Sequence, residues 1–135
     1  MKGILADNDV RGQVDYLVAL MEAEPWRDFW VDLALMVFSL EDVGLTPEAS
    51  DLDVWELCQA EEIVHITANR IMLGPDSLEA TIRIHNTTRS LPVFTIADVK
   101  KLNASKAYAE EIVESLIDYL QRIDTMRGVG RLFLP

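Results

Sequence analysis

Basic residues are scarce in this chain, and so are cysteine and long apolar runs. Lysine and arginine together number 12 against 23 aspartates and glutamates, a formal charge of −11. Chain-wide electrostatic capture of nucleic acid rests on Lys and Arg contacts to phosphate, so this balance argues against it. The carboxylate excess fits a cation site or a basic partner, and as surface charge it also serves solubility. The single cysteine, Cys58, excludes an internal disulfide and a multi-cysteine zinc site. No apolar run reaches the ~18 residues of a membrane span. The longest, 33–38, has the length of a strand. The opening Met1-Lys2-Gly3-Ile4-Leu5-Ala6-Asp7 turns acidic too soon for a secretory signal. Together these features predict a cytoplasmic protein with no membrane partner.

What is present is the material of one packed core. The 135 residues suit a single domain, 1–135, and half of them are hydrophobic, which argues against disorder. The run 3–6 reads as a buried strand stopped by Asp7-Asn8-Asp9. Apolar residues at helical spacing then predict a helix over 10–22, and Pro25 starts a short second helix. A second buried strand is expected over 34–38. Ser50 or Asp51 caps a third helix, whose Val54, Trp55, Leu57 and Cys58 face inward. The run 62–67, rich in β-branched residues, is the third strand. A loop over 68–77 leads to a helix from Leu78, then to a fourth strand over 91–96. The clearest helix covers 105–124. The tail after Gly128 and Gly130 is apolar and is a candidate edge strand or partner contact. Four alternations of doubly apolar strand and helix predict an α/β fold, a parallel sheet of about four strands with helices on both faces and the 3–6 strand central.

In such a sheet, ligands bind beyond the carboxyl ends of the strands. Asp7, Asn8 and Asp9 follow the first strand, Thr67 and Asn69 the third, and Asp98 the fourth. Asp51 opens the helix leading into the third strand, and Asp76 lies in the loop after it. Carboxylates converging at one end suit Mg²⁺ or Mn²⁺, which take oxygen ligands. Without a cation they raise one another's pKa. Each also has a local explanation: Asp51 as a helix cap, Asp7 and Asp9 as strand stops, Asp76 as a cap for the next helix, Asn69 bonded within its own turn. His65, mid-strand, reads as a packed core histidine, His85 as a surface residue, and Cys58 as inert core. Trp26 and Trp30 are core or, if exposed, a contact site. Arg70, Arg83 and Arg89 are the basic residues expected near the site, where they can hold a phosphate.

Two families share parts of this pattern. Ile4-Leu5-Ala6-Asp7-Asn8-Asp9 looks like the start of a response-regulator receiver domain. That reading needs a phospho-accepting aspartate ending the third strand and a lysine after a fifth, whereas here the third strand ends Ile66-Thr67-Ala68-Asn69 and four strands are expected. The second resemblance extends over about 2–98. Asp7 after the first strand, Ala49-Ser50-Asp51-Leu52-Asp53-Val54-Trp55 opening a helix, Val64-His65-Ile66-Thr67-Ala68-Asn69, and the later Asp76 resemble the PIN domain. The turn Asp42-Val43-Gly44-Leu45 looks like the compact bacterial PIN-like proteins. The resemblance implies a three-layer PIN-like sandwich acting as a metal-dependent ribonuclease. It implies that Asp7, Asp51 and Asp76 are catalytic and hold Mg²⁺ or Mn²⁺, while Thr67, Asn69 and Arg70 contact the substrate. The implied partners are RNA and, as open alternatives, an antitoxin or other protein and a second copy of the chain. The loop from Asn69 to Asp76 is longer than the family's usual spacing. The glutamate of larger PIN nucleases has only positional candidates, Glu22, Glu41 and Glu48. A second reading therefore stays open: a PIN-like fold without catalysis, kept as a binding or regulatory module, alone or as a homodimer.

Overall fold

Strands in this chain are short apolar runs bounded by turn residues, and the helices from Ser50 onward start on the side-chain caps Ser50, Ser77, Asp98 and Ser105. The computed structural model describes residues 1–71 and 74–135, so Met72 and Leu73, within the 68–77 loop expected from the sequence, lie outside the described residues. The elements run β1 (Gly3–Ala6), α1 (Arg11–Met21), α2 (Arg27–Leu33), β2 (Met36–Phe38), α3 (Asp51–Glu61), β3 (Ile63–Thr67), α4 (Leu78–His85), β4 (Val93–Ile96), α5 (Val99–Ala104), α6 (Lys106–Gln121) and β5 (Arg131–Leu134). They build a five-stranded, all-parallel sheet in the order β2-β1-β3-β4-β5. No described helix is long and apolar enough to cross a membrane.

The sheet has five strands rather than about four, because the tail pairs with β4 along its whole length, from Val93 opposite Arg131 to Ile96 opposite Leu134. β1 lies between β2 and β3, one place in from the edge, and the central position expected for it belongs to β3 once the tail adds a fifth strand. The second strand is shorter than expected and is not buried. Ala34 ends α2 in the left-handed region at φ 52°, and Met36, at the sheet edge, is 59% exposed. A separate helix, α5, precedes α6 in a stretch to which the sequence pattern assigned no element. Asp98 caps α5 by accepting from the Lys101 N–H, and Ser105 then restarts the chain as α6 by accepting from Tyr108.

Alternate strand residues face opposite layers. Ile4, Ala6, Val64, Ile66, Phe94 and Ile96 pack with α1 and α6 in the larger core, which also takes Trp30 of α2. Leu5 and Ile63 meet Val54 and Cys58 of α3, and Val93 meets Leu78 and Ile82 of α4. The result is a three-layer α/β arrangement. Gly3 permits the closeness of β1 and β2, since a Cβ there would overlap the Met36 carbonyl.

The five strands also remove the strand-count argument against a receiver domain, since flavodoxin-like sheets have this order. The argument from residues stands, because Thr67 occupies the end of β3, where an acceptor aspartate would be required.

Candidate functional site: carboxylates at the β1–β3 switch point

Connections from β1 run to β2 on one side and then return across β1 to β3 on the other. The crevice at such a reversal, beyond the carboxyl ends of the strands, is where doubly wound sheets bind ligands. The register puts Leu5 opposite His65, so Asp7 and Thr67 follow two residues later on the same face. The α3 layer brings Asp51 to the same end. Ser50, not Asp51, supplies that helix's cap by accepting from Asp53, which leaves the Asp51 carboxylate for other partners.

The side chains form two linked groups. His65 Nε2 and Asp7 Oδ2 lie 3.0 Å apart, and Asp7 Oδ1 accepts from the Asn8 N–H at 2.8 Å. The short 3₁₀ turn that follows carries Asp9 across to β3. There its Oδ2 accepts from the Ala68 N–H at 3.3 Å and from the Thr67 hydroxyl at 3.5 Å. Thr67 Oγ1 in turn accepts from the Asn69 N–H at 3.0 Å, and the Asn69 amide donates to Asp51 Oδ2 at 3.4 Å. Asp7, Asp51, Thr67 and Asn69 are thus brought together as the sequence reading expected.

Asp76 is exposed in the turn before α4, and among the described residues it takes no part in these hydrogen bonds. Nor is it a cap, because Ser77 accepts from the Ala80 N–H. Among the described residues no group of three or more His, Cys, Asp or Glu side chains is arranged to hold a metal ion.

Electrostatics tie the carboxylates to one another. Burial pushes Asp7 up, but the hydrogen bond and charge of His65, with the Asn8 N–H and the Thr67 hydroxyl, more than offset it, and its pKa falls below the usual aspartate value. Asp9 is raised, first by burial and then by the Asp7 charge. Asp51 is raised by the same two causes in the same order. Cys58, buried under this layer and facing the Asp7 charge, is pushed up to about 12, so its thiol stays protonated and unreactive.

Sequence reasoning undervalued His65, which is 2% exposed and carries a buried Nδ1 with no hydrogen-bond partner. The signal was available: residues 63, 65 and 67 share a strand face, so a histidine there points at whatever Asp7 approaches. It gave no hint of Arg131. That side chain, 9% exposed, pairs with Glu79 at 3.1 Å, donates to the Asn69 carbonyl at 2.8 Å and donates to Thr95 Oγ1 at 2.6 Å. The last strand thereby fixes the loop after β3.

Of the basic residues expected near the site, only Arg70 is close. It lines a depression of about 420 Å³ with Ala68, Ala97, Asp98 and Lys100, at the carboxyl end of β4 beside the carboxylate group. Arg83 is exposed on α4. Arg89 sits at the opposite end of the sheet, in a hollow with Gln59, Glu62, Ser90 and Arg127. Lys100 is a further cation that the sequence reading missed.

Comparison with known proteins returned no relative: no family model matches the chain, and no curated protein or solved structure matches it.

Proposed function

We propose that this chain is a PIN-like phosphodiesterase that uses Mg²⁺ or Mn²⁺ at Asp7 and Asp51 to cleave single-stranded RNA. The observation that carries the reading is the convergence of Asp7, Asp9 and Asp51 at the β1–β3 switch point, linked to the end of β3 through His65, Thr67 and Asn69. The Asp7 charge raises both Asp9 and Asp51, and a cation there offsets that repulsion.

The fit to a divalent ion holds in kind. Asp7, Asp9, Asp51, Asn69 and Thr67 offer only oxygen donors from their carboxylate, amide and hydroxyl groups, apart from the Asn69 nitrogen, and hard cations take oxygen. In number the fit is partial, since Asp76 takes no part in the bonds that link the group, whereas Asp9 does. When bound, such a cation activates water and neutralises charge on phosphate. The protein's own part follows from its bonds. His65 keeps Asp7 ionised and fixes its carboxylate. Thr67 orders the backbone at Asn69, and Asn69 holds Asp51. Arg70 and Lys100, in the adjoining depression, are placed to hold a substrate phosphate in an otherwise acidic surface.

One observation favours the second reading, a binding module without catalysis: each carboxylate is already satisfied by a protein donor. A single experiment separates the two. Labelled single-stranded RNA is incubated with the protein, with no metal, Mg²⁺ or Mn²⁺, beside Asp7→Asn and Asp51→Asn. The phosphodiesterase reading expects metal-dependent cleavage that both substitutions abolish. Equal products from the wild type and both variants, or none under any metal, leave the binding module.

A further inference from the structure

The geometry points to a second site, remote from the carboxylates: the groove between α2 and α6 docks a basic segment of a partner protein. Pro25, Trp26, Phe29 and Ile117 make its floor, and Glu114, Asp118 and Gln121 its wall, around a volume of about 430 Å³. Phe29 is 50% exposed, which leaves half of a large aromatic side chain open to the groove. Trp30, one residue on, turns inward and is buried. The groove therefore presents aromatic rings beside carboxylates, the combination that binds ammonium and guanidinium groups by ring quadrupole and charge together.

The acidic wall continues beyond the groove. Glu111, Glu114 and Asp118 share one face of α6 by their spacing. They line an adjoining hollow of about 400 Å³ with Ser115 and Pro135, which shares Glu114 and Asp118 with the first. Among the described residues only Asp118 of these three is ion-paired, with Arg122 at 3.0 Å. The stripe from Glu111 to Asp118 extends about 10 Å along the helix axis. A small cation fills one hollow. A segment bearing lysines or arginines two helical turns apart spans both, and this favours a peptide over a free amine. A second copy of the chain is disfavoured because it brings another −11 to the same acidic surface.

The test uses a labelled helical peptide built only of leucine and lysine, and its leucine–glutamate counterpart, titrated against the full chain by fluorescence anisotropy. The expected result is binding of the lysine peptide alone, weakened about tenfold or more in Glu114→Lys and in Phe29→Ala. Glu56→Lys, on the opposite face of the sheet, makes the same change in net charge and is expected to alter affinity by less than about twofold. Glu114→Gln, which removes the charge without reversing it, is expected to fall between them. Equal weakening by Glu114→Lys and Glu56→Lys would overturn the proposal in favour of non-specific attraction. Hexylammonium competing at concentrations equal to the peptide's would overturn it in favour of a small cation. Sedimentation showing a dimer that Phe29→Ala dissolves would overturn it in favour of self-association.

Discussion

His65 Nε2 lies 3.0 Å from Asp7 Oδ2, so the middle strand of the sheet anchors the carboxylate that ends β1. This contact fixes the sign of a substitution. Clustered carboxylates considered alone suggest that neutralising Asp7 relieves repulsion and leaves the fold intact or slightly stabilised. With His65 in place, the Asp7 pKa is lowered, so its ionised form is the one the fold favours. Its contribution to stability is fully present above the ordinary value of 3.8 and is lost as pH falls through the lowered one. Asp7→Asn is therefore expected to lose about 1–2 kcal/mol at pH 7, the worth of a charge-assisted bond less the relief it gives Asp9 and Asp51. Urea unfolding checks this, with the gap from wild type narrowing under acid. A variant as stable as wild type at pH 7 would show that the His65 contact contributes nothing net.

Asp51 runs the other way. Its pKa is raised by burial and by Asp7, so the charged form is the disfavoured one. The associated stability is fully present below 3.8 and is lost as pH rises through the raised value. Asp51→Asn keeps an acceptor for the Asn69 amide and removes the charge. The expected gain at pH 7 is below about 1 kcal/mol, discounted because the side chain is only half-buried and solvent screens it. Thermal melts at pH 7 and pH 3.5 test the sign: the variant's advantage should shrink in acid. Together with lost Mn²⁺ binding in calorimetry, that outcome marks a residue kept for function at a cost in stability.

Most of the layer pattern was legible because it is local. β1, β3 and α6 follow from apolar spacing and turn residues within a few positions of each element. β5 was harder, since Arg131, Leu132, Phe133 and Leu134 are a strand only because β4 offers them an edge. β2 was misjudged as buried because apolar composition cannot distinguish an edge from an interior position, and Met36 is at an edge. In the site, Asp7, Asp51, Thr67 and Asn69 were legible as strand-end and helix-start residues. Asp76 was placed in the loop after β3 on the same grounds, but it is exposed and takes no part in the bonded group among the described residues. Arg131 lies 52 residues from Glu79 and 62 from Asn69, and no local pattern encodes such a pair.

Arg131 should behave as a clasp between β5 and the loop after β3. Arg131→Met removes the bonds to Asn69, Thr95 and Glu79 together. The expected loss is about 2–4 kcal/mol, because Glu79 is left partly buried without its cation. Adding Glu79→Gln should restore part of it. A double-mutant cycle in guanidinium measures this, and strict additivity would show that the pair is not coupled.

Gly3→Ala tests the closeness of β1 and β2. The added methyl meets the Met36 carbonyl, which is backbone and cannot rotate away. β2 must shift outward or detach, and the expected loss is about 2 kcal/mol or more, as for other overpacked sites. Amide exchange should show lost protection concentrated at β2, leaving β4 and β5 unchanged. Uniform loss across the sheet would mean that β2 is not a separable edge.

The salt dependence of RNA binding separates a repelled substrate from a gripped one. A chain of charge −11 repels a polyanion, and that repulsion weakens as salt screens it, so affinity limited by net charge rises with salt. Affinity carried by cation–phosphate contacts falls instead, with a slope of about −0.7 per contact in log affinity against log salt for single strands. Arg70 and Lys100 share one depression beside the carboxylates, which predicts the falling trend. Arg70→Ala with Lys100→Ala should flatten the slope by about 1.4 and leave the melting temperature nearly unchanged, because both side chains are exposed. Arg89→Ala, at the far end of the sheet, should leave the slope alone. Anisotropy of a labelled single-stranded RNA without divalent metal, from 50 to 200 mM salt, gives all three slopes. If the Arg70–Lys100 variant and the Arg89 variant flatten equally, RNA does not sit at the switch point. A wild-type affinity that rises with salt would remove phosphate contacts at Arg70 and Lys100 from the mechanism altogether.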